Sequence, residues 1–400
     1  MVNAKHDTAS YENCGYQREI FDGNVLYESF LQAKRGSSWK PAVQKYEMNY
    51  LIGLSKVQRE LREGTYEFKP TSDFVLRERG KTRYISGETF EDRIVKHALC
   101  DEALMPSLRP RLIYDNCASL KGRGISMQRK RLLTHLRKYY REHGTNDGYI
   151  LLIDYSKYYD NIRHEDFFRL VRESVSDPVS LNLLRKVLDR ERIDVSYLSD
   201  AEYGSCMNTV FSSLEYAKID KGLLTGEKLM PKHLNIGDQV AQVAGISYPI
   251  PIDNYVKIVR QMKYYGRYTD DSYIIHESRE VLEDVLKGIL EIAGSIGITV
   301  SRKKTRICKL SDKWRFLQIQ YSLTDTGRVI QKINPKRLAC MRRKMKKAAQ
   351  KGHLTPKEFE NWYRSWFRAH YKIMSRAQRN NMDKLYNQLK EINRNVQNNS

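Results

Sequence analysis

Along this chain, stretches in which an apolar residue recurs every three or four positions alternate with short runs that are apolar throughout. The recurring pattern is typical of helices that bury one face, and residues 280–293 show it clearly. The same spacing predicts further helices at 42–64, 91–104, 126–142, 164–174, 178–190 and 239–261. Helices thus account for most of the regular structure that the pattern predicts.

The apolar and β-branched runs predict strands. Tyr149–Ile153 is apolar throughout and lies between a glycine and a charged turn, which is typical of a central strand that is buried on both faces. Residues 74–85 predict a hairpin with its turn at Arg79 and Gly80. Residues 263–276 predict a second hairpin, which has two carboxylates in its turn.

Two regions depart from these patterns. Residues 192–235 are irregular and long for a connection, so they predict an inserted subdomain or a functional loop. From residue 331 onward the chain is helical in pattern and rich in lysine and arginine. In this region Trp362, Trp366 and Phe367 recur at helical spacing, which favours packing in a core over stacking on bases.

The charge of the chain narrows the class of partner. The chain has 400 residues, of which 40% are hydrophobic, and its 70 lysines and arginines against 48 acidic residues give a formal charge of +22. Such an excess predicts a polyanionic partner, nucleic acid first, with an inert basic surface or binding to a membrane surface as the alternatives. The six cysteines form no Cys-x-x-Cys pair, which argues against a zinc site and fits a cytoplasmic protein. No apolar run is long enough to span a membrane.

Three acidic residues are candidates for chemistry. Asp154 directly follows the predicted central strand, and Asp270 and Asp271 lie in the turn of the second hairpin. If the two strands are neighbours in one sheet, these carboxylates converge. Such a cluster could hold two Mg²⁺ ions for nucleotidyl transfer, because Mg²⁺ prefers carboxylate, phosphate and water oxygens. The alternative is that the Asp-Asp pair is only a solvated turn.

The residues around these carboxylates resemble the motifs of bacterial reverse transcriptases. Arg267-Tyr-Thr-Asp-Asp271 resembles their Tyr-x-Asp-Asp palm motif, and Ile153-Asp-Tyr-Ser-Lys-Tyr-Tyr-Asp-Asn-Ile162 resembles their first palm motif. Further matches in the family's order are Gly80-Lys-Thr-Arg83, Glu91-Asp-Arg-Ile-Val95, Ile236-Gly-Asp-Gln-Val-Ala-Gln242, Lys304-Thr305 and Phe316-Leu317. Several motifs in order are more specific than any one of them, and the resemblance extends over most of the chain.

The resemblance implies an RNA-directed DNA polymerase of the α+β class, shaped like a right hand. In this fold, fingers precede a palm that is built on an antiparallel sheet packed on helices, and a helical thumb follows. The implied boundaries are an N-terminal extension at 1–45, fingers at 46–148, a palm at 149–330 that includes the insert 192–235, and a basic thumb at 331–400. Two Mg²⁺ ions, replaceable by Mn²⁺, are the implied cofactors.

The resemblance also implies roles for the residues at the carboxylates. Asp154, Asp270 and Asp271 would be catalytic, and together with the Tyr155 carbonyl they would hold the metal ions. Lys304 would lie near the pyrophosphate and protonate it, with an ordinary surface lysine as the alternative.

Other matching residues are implied to bind the nucleotide or the nucleic acid. Tyr159 would lie under the incoming sugar and exclude a 2′-hydroxyl, unless it is a core aromatic residue. Arg83, assisted by Lys81 or Arg77, would bind the triphosphate, unless it is an exposed hairpin charge. The residues implied to lie near the nascent base pair, the template or the primer are Gln242, Gly237, Arg267 and Tyr268.

The chain departs from the family pattern at several positions. Asn235-Ile236, Ala241 and Gln318 replace the usual proline, serine and glycine, and Thr269 stands where smaller or apolar residues are commoner. None of these departures removes a metal ligand, so they bear on the subgroup of the family and not on catalysis. Together with the insert they favour a defence-associated antiphage enzyme over an intron enzyme. The alternatives are an enzyme of diversity-generating retroelements, a template-independent or protein-primed polymerase, and an inactive RNA-binding scaffold like a maturase.

The partners follow from this resemblance. An RNA template, expected to be a structured noncoding RNA, the DNA product and dNTPs are implied. A companion defence protein or a second copy of the chain is a further candidate, and no membrane partner is expected.

Overall fold

The computed structural model describes residues 19–78 and 81–398. The helices of its first third are α1 (Gly23–Lys34), α2 (Pro41–Met48), α3 (Tyr50–Arg62), α4 (Phe90–Ala98), α5 (Met105–Leu108) and α6 (Ile125–His143). A π-helical turn at Leu99–Leu104 joins α4 to α5. The helices that the sequence predicts in this third are confirmed, with a break at Asn49 that divides the first of them.

The first hairpin consists of β1 (Ser72–Glu78) and β2 (Lys81–Gly87), which pair antiparallel. It confirms the predicted hairpin, although the predicted turn residues Arg79 and Gly80 lie outside the described residues. Helix α4 follows because Thr89 accepts a hydrogen bond from the Asp92 amide at 3.2 Å and so caps its first turn.

Helix α1 is part of the main core although it precedes the region of family resemblance. Its residues Val25, Leu26 and Phe30 are buried. The Phe30 ring packs edge-on against Phe90 of α4, with 5.9 Å between the ring centroids. The described part of the N-terminal segment therefore packs on the body of the protein.

The remaining helices are α7 (His164–Arg172), α8 (Pro178–Arg190), α9 (Asp200–Ser205), α10 (Ser213–Tyr216), α11 (Gln239–Ser247), α12 (Ile250–Asn254), α13 (Arg279–Ser295), α14 (Pro335–Lys351), α15 (Pro356–His370) and α16 (Arg376–Asn398). The remaining strands are β3 (Tyr149–Ile153), β4 (Tyr155–Ser156), β5 (Ile193–Asp194), β6 (Leu229–Met230), β7 (Tyr264–Tyr268), β8 (Asp271–His276), β9 (Thr299–Val300), β10 (Arg306–Lys309), β11 (Trp314–Phe316), β12 (Ile319–Leu323) and β13 (Val329–Ile333). Among the helices of the described residues, none is both long and apolar enough to cross a membrane.

The central sheet is antiparallel and has the strand order β10-β3-β8-β7. Strand β3 is apolar throughout because both of its faces are covered. Leu151 and Ile153 face one core, which includes α11 and α13, while Ile150 and Leu152 face a second core, which includes α6. This arrangement confirms the predicted α+β class, with an antiparallel sheet packed on helices.

A second antiparallel sheet, β11-β12-β13, was not predicted from the sequence. Its middle strand alternates in the usual way, with Ile319, Tyr321 and Leu323 buried. The turn before that strand consists of Leu317 and Gln318, whose φ angles are +43° and +72°. Because turns of this kind usually carry glycine or asparagine, no local pattern indicates this hairpin.

Two further cores complete the fold. The insert 192–235 is largely irregular, as predicted, and has a small core formed by Ile193, Val195, Cys206 and Met230. Helices α14, α15 and α16 surround another core, against which Trp362, Trp366 and Phe367 pack. The prediction that these three aromatic residues pack in a core is therefore confirmed.

Candidate active site

Antiparallel pairing brings the predicted carboxylates to the same end of the central sheet. Ile153, the last residue of β3, lies opposite Ser272 of β8. Asp154 follows Ile153 and Asp271 precedes Ser272, so the register brings the two aspartates together. Both line a cavity of about 550 Å³, which we call the carboxylate cavity. Its other polar lining residues are Ser272, Lys303, Lys304, Arg306, Arg315 and Gln318.

Asp270 lies in the tight turn between β7 and β8. Tyr268 pairs with Asp271, which leaves Thr269 and Asp270 as the two turn residues. Thr269 has a φ of +57°, in the left-handed region that β-branched residues seldom occupy. A strained backbone of this kind is common where a turn must present a functional side chain, and this turn carries Asp270 and leads directly into Asp271.

The Lys304 ammonium lies in the carboxylate cavity and contacts Asp154. Its Nζ donates a hydrogen bond to Asp154 Oδ1 at 2.7 Å. The pKa of Lys304 is raised, first by this hydrogen bond and then by the charges of Asp154, Asp270 and Asp271. One cation therefore experiences all three acidic side chains at once.

The donor set at this cavity fits a divalent metal ion. Carboxylate oxygens are the ligands that Mg²⁺ prefers, and it usually binds through a few of them together with water and phosphate oxygens. Asp154 is mostly buried at the end of β3, and its backbone carbonyl accepts a hydrogen bond from the Ser301 amide at 2.8 Å. This hydrogen bond fixes the backbone from which the carboxylate projects.

A second group of carboxylates is close enough together to hold a metal ion but is paired with lysine and arginine instead. Oxygens of Glu88, Glu191 and Asp238 lie within 4.8 Å of one another. The Lys96 ammonium donates to Asp238 at 2.5 Å and to Glu88, and it lies 3.9 Å from Glu191. Arg190 adds a second cation, 3.5 Å from Glu191. We therefore interpret this group as a buried ion network rather than a metal site.

Within that network Lys96 keeps its charge despite burial, whereas burial and the charge of Asp238 raise the pKa of Glu88. Burial lowers the pKa of Lys96, but the surrounding carboxylates, Asp238 first, outweigh it and raise the pKa. Asp238 also accepts a hydrogen bond from the Val240 amide at 3.0 Å and so caps α11. The network thus holds the loop before α11 against α4.

Tyr159 rests on α11. Burial raises its pKa, and the charge of Asp270 raises it further. A Cβ atom at Gly245 would lie only 2.5 Å from Tyr159 Oη, so the ring occupies the space that this glycine leaves open. Gly245 was not predicted as a site residue. The only signal for it is a glycine within a helical pattern.

The expectation that Arg267 contacts template or primer is wrong. Its guanidinium is fully buried and pairs with the equally buried Asp253, with distances of 2.9 Å and 2.5 Å to the two oxygens. It also donates to the carbonyls of Ile246 and Thr269, at 2.8 Å and 3.1 Å. All of these partners are protein groups, so Arg267 supports the Asp-Asp turn from behind.

Tyr155 and Tyr268 flank the carboxylates in the chain. The Tyr155 side chain is buried, and its backbone pairs with Val300 of β9 directly after Asp154. Tyr268 is partly buried against the second core, and burial raises its pKa. The binding of a metal ion by the Tyr155 carbonyl and the contact of Tyr268 with template or primer stay predictions.

The residues expected to bind the triphosphate lie on the first hairpin. Arg83 is half-buried on β2, opposite Leu76 of β1. Lys81 begins the same strand, but its side chain lies outside the described residues. The hairpin is tied to the loop before α11, because the Asn235 side chain accepts a hydrogen bond from the Ser86 amide at 3.0 Å and donates one to the Ser86 carbonyl.

That loop carries the last two expected residues. Gly237 has a φ of +110°, which favours glycine, and a Cβ atom added there would have no heavy atom within 4 Å. Gln242 is exposed on α11 although Ala241 and Val243 beside it are buried. Both residues therefore border open space, where nucleic acid could reach them.

The chain matches a known protein family. The family described as "Reverse transcriptase (RNA-dependent DNA polymerase)" matches residues 69–321, which is more than half of the chain. The matched range includes both hairpins, the central sheet and the carboxylate cavity. No curated protein matches the chain.

Proposed function

This protein belongs to the reverse transcriptase family and is an RNA-directed DNA polymerase with the right-hand fold, and we propose that Asp154, Asp270 and Asp271 form its catalytic centre. At that centre the primer 3′-hydroxyl attacks the α-phosphate of a dNTP. A phosphodiester bond forms, and the bond to the leaving pyrophosphate breaks.

One observation carries this assignment. The Lys304 ammonium lies in the field of all three aspartates and hydrogen bonds to Asp154, which supports a common point at which a cation is held. Two Mg²⁺ ions, or Mn²⁺ in their place, would be held there by the three carboxylates and the Tyr155 carbonyl, and would activate the hydroxyl and neutralise the leaving group. Lys304 is proposed to give a proton to the leaving pyrophosphate.

The nucleotide site lies next to this centre. Tyr159, whose pKa the charge of Asp270 raises, is proposed to stand under the sugar and to exclude a 2′-hydroxyl. Arg83 and Lys81 on β2 are proposed to bind the triphosphate, since a guanidinium suits phosphate geometry. Gln242 and Gly237 are proposed to border the nascent pair, and Tyr268 to border the primer.

The C-terminal helices supply a surface for the template–primer duplex. Helix α14 carries lysine and arginine but no acidic residue, and its apolar residues Leu338, Met341 and Met345 are turned into the core. The exposed basic residues of α14 are proposed to contact phosphate groups. They are Lys336, Arg343, Lys344, Lys346, Lys347 and Lys351. We propose that residues 331–400 form the thumb, residues 46–148 the fingers and residues 149–330 the palm.

The biological setting is a finer proposal. The departures at Asn235, Ala241 and Gln318, together with the insert, support a cytoplasmic bacterial enzyme of antiphage defence. Its template would be a structured noncoding RNA. Diversification of a target gene, template-independent synthesis, protein priming and an inactive RNA scaffold are the alternatives.

Primer extension tests the proposed reaction. Purified protein with Mg²⁺, dNTPs and a primed RNA should extend the primer by the template sequence, and Asp270→Ala should abolish extension while leaving the thermal stability near that of the wild type. Product without template would indicate the template-independent alternative. Tight RNA binding with no product from the wild type would indicate a scaffold.

A further inference from the structure

A short segment of the insert bridges two elements that are proposed to hold the nucleotide. This segment, residues 211–216, ends in helix α10, and we call it the bracket. On one side it meets the turn 157–161, which contains Tyr159. On the other side it meets strand β2, which contains Arg83.

Hydrogen bonds that involve side chains tie the bracket to the turn of Tyr159. The Ser213 amide donates to Asp160 Oδ2 at 3.0 Å. The Asn161 side chain accepts from the Phe211 amide at 2.9 Å and donates to the Phe211 carbonyl at 3.1 Å. Lys157 Nζ adds a hydrogen bond of 2.9 Å to Ser212 Oγ. The residues on both sides of Tyr159 are therefore held by the bracket.

The buried Asp160 makes this attachment strong. Burial raises its pKa, but hydrogen bonds from His233 and Ser213 together with the charge of His233 outweigh burial, and the pKa is lowered. His233 Nδ1 lies 3.1 Å from Asp160 Oδ1. Hydrogen bonds to an ionised acceptor are about twice as strong as neutral ones.

Tyr216 joins the bracket to the hairpin. Its ring meets Tyr84 of β2 edge to face, with centroids 6.3 Å apart and an angle of 83° between the rings. Tyr84 is the neighbour of Arg83, and consecutive residues of a strand point to opposite faces. The bracket thus contacts the face of β2 opposite to the one on which Arg83 lies.

The hairpin depends on such contacts because much of its apolar surface is uncovered. Phe74, Val75 and Leu76 of β1 are each 39–49% exposed. A two-stranded hairpin without a packing partner is marginally stable in water. Asn235 holds the hairpin near its base at Ser86, and Tyr216 holds it closer to Arg83.

We propose that the bracket fixes the distance between the triphosphate-binding hairpin and the turn of Tyr159, with Tyr216 as a positioning residue for dNTP binding. The proposal rests on the proposed function, since it assumes that Arg83 and Tyr159 contact the nucleotide. It assigns the insert a role in substrate affinity.

Steady-state extension of a primed RNA by the full-length protein tests the role of Tyr216. Tyr216→Ala should raise the KM for dNTP by about 2- to 10-fold, the range that an edge-to-face aromatic pair is worth. The kcat at saturating dNTP and the affinity for the primed RNA should stay within about twofold of the wild type, since Tyr216 touches neither the carboxylates nor the thumb. Tyr216→Phe keeps the ring and should restore the wild-type KM. Tyr84→Leu removes the same pair from the hairpin side and should raise KM as well.

A matched variant separates positioning from general loosening of the insert. Tyr203 lies in the same insert, and its hydroxyl donates to the Leu229 carbonyl at 3.2 Å, away from the hairpin. Tyr203→Phe should leave KM unchanged. The role of Tyr216 is overturned if Tyr203→Phe raises KM as much as Tyr216→Ala, or if either ring deletion at 216 or 84 leaves KM unchanged. An inactive wild-type protein would instead contradict the proposed function itself.

Discussion

The Lys304 ammonium donates a 2.7 Å hydrogen bond to the carboxylate of Asp154, a residue 150 positions earlier in the chain. Because Asp270 and Asp271 also raise the pKa of Lys304, this lysine neutralises part of the charge that a divalent ion would otherwise neutralise. A metal ion that binds Asp154 therefore competes with Lys304 for the same oxygen.

Removing that competitor should change the metal requirement. Lys304→Gln should lower the Mg²⁺ concentration for half-maximal extension by about 2- to 5-fold, because exposed ion pairs are worth up to about 1 kcal/mol and the Lys304 side chain is 64% exposed. The maximal rate should fall if Lys304 protonates pyrophosphate. Lys303→Gln, which removes one charge from the same cavity but keeps the partner of Asp154, is the control. An unchanged or higher Mg²⁺ requirement in Lys304→Gln would refute the competition.

Tyr159 should control the choice of sugar. Tyr159→Ala should increase the use of ribonucleotides relative to deoxyribonucleotides by about tenfold or more, as expected when a steric contact of one or two atoms is removed. The discrimination between the two sugars is measured as the ratio of kcat/KM for dCTP to kcat/KM for CTP on the same template. If that ratio does not change, Tyr159 is a core aromatic residue and not a sugar gate.

Gly245 gives a second way to move the same ring. Gly245→Ala places a methyl group 2.5 Å from the present position of Tyr159 Oη, so the phenol must shift away from α11. We expect kcat/KM for dNTPs to fall while ribonucleotide use stays low. Gly294→Ala, in α13 with no atom within 4 Å of the new methyl group, should leave both quantities unchanged. If Gly245→Ala changes the thermal stability but leaves the activity unchanged, Gly245 serves packing and does not position Tyr159 for catalysis.

Much of the site could be predicted because its residues follow strong local patterns. The apolar run before Asp154 predicts a strand that is buried on both faces, and Ile150 and Leu151 do face different cores. The two aromatic and β-branched runs around Asp270 predict a hairpin, and the register of β3 with β8 then brings its turn to Asp154.

The rest depends on contacts between distant residues, which a local pattern does not contain. The position of Arg267 in the sequence suggests a contact with nucleic acid. In the structure its guanidinium is buried and forms an ion pair with Asp253, which lies in a separate helix. The turn at Leu317 and Gln318 lacks the glycine that would indicate a hairpin, so β11 and β12 were missed. Gly245 matters only because Tyr159 packs on it.

The buried Arg267–Asp253 pair should be costly to break from one side. Arg267→Met leaves the Asp253 carboxylate buried without its cation, and breaking such a pair typically costs about 3–5 kcal/mol of unfolding free energy. Arg267→Met with Asp253→Asn should recover part of that loss, because the remaining group is neutral and can still accept from Tyr265 Oη, which lies 2.6 Å from Asp253. Urea unfolding measures both variants. A loss below about 1 kcal/mol in the single variant would contradict a structural role for the ion pair.

His164 is buried at the start of α7 and supports the insert. Its Nε2 donates to the His233 carbonyl at 2.6 Å, and burial lowers its pKa to about 4. The imidazole is neutral in the folded protein, whereas in the unfolded chain it takes up a proton near pH 6.5. The contribution of His164 to the free energy of unfolding is therefore fully present above pH 6.5. That contribution is lost as the pH falls from 6.5 towards 4.

The unfolding free energy should therefore fall in mild acid, and His164 should account for a measurable part of the decrease. Between pH 7 and pH 5 the titration of His164 should lower the free energy of unfolding by about 2 kcal/mol. His164→Gln cannot titrate, and its amide can still donate to the His233 carbonyl, so the variant should lose less stability over the same interval. Urea unfolding at pH 7 and pH 5 gives the loss of unfolding free energy for the wild type and for the variant. Because both proteins contain all the other titrating groups, the difference between the two losses reports on His164. Equal losses in the two proteins would mean that His164 does not stay neutral through burial.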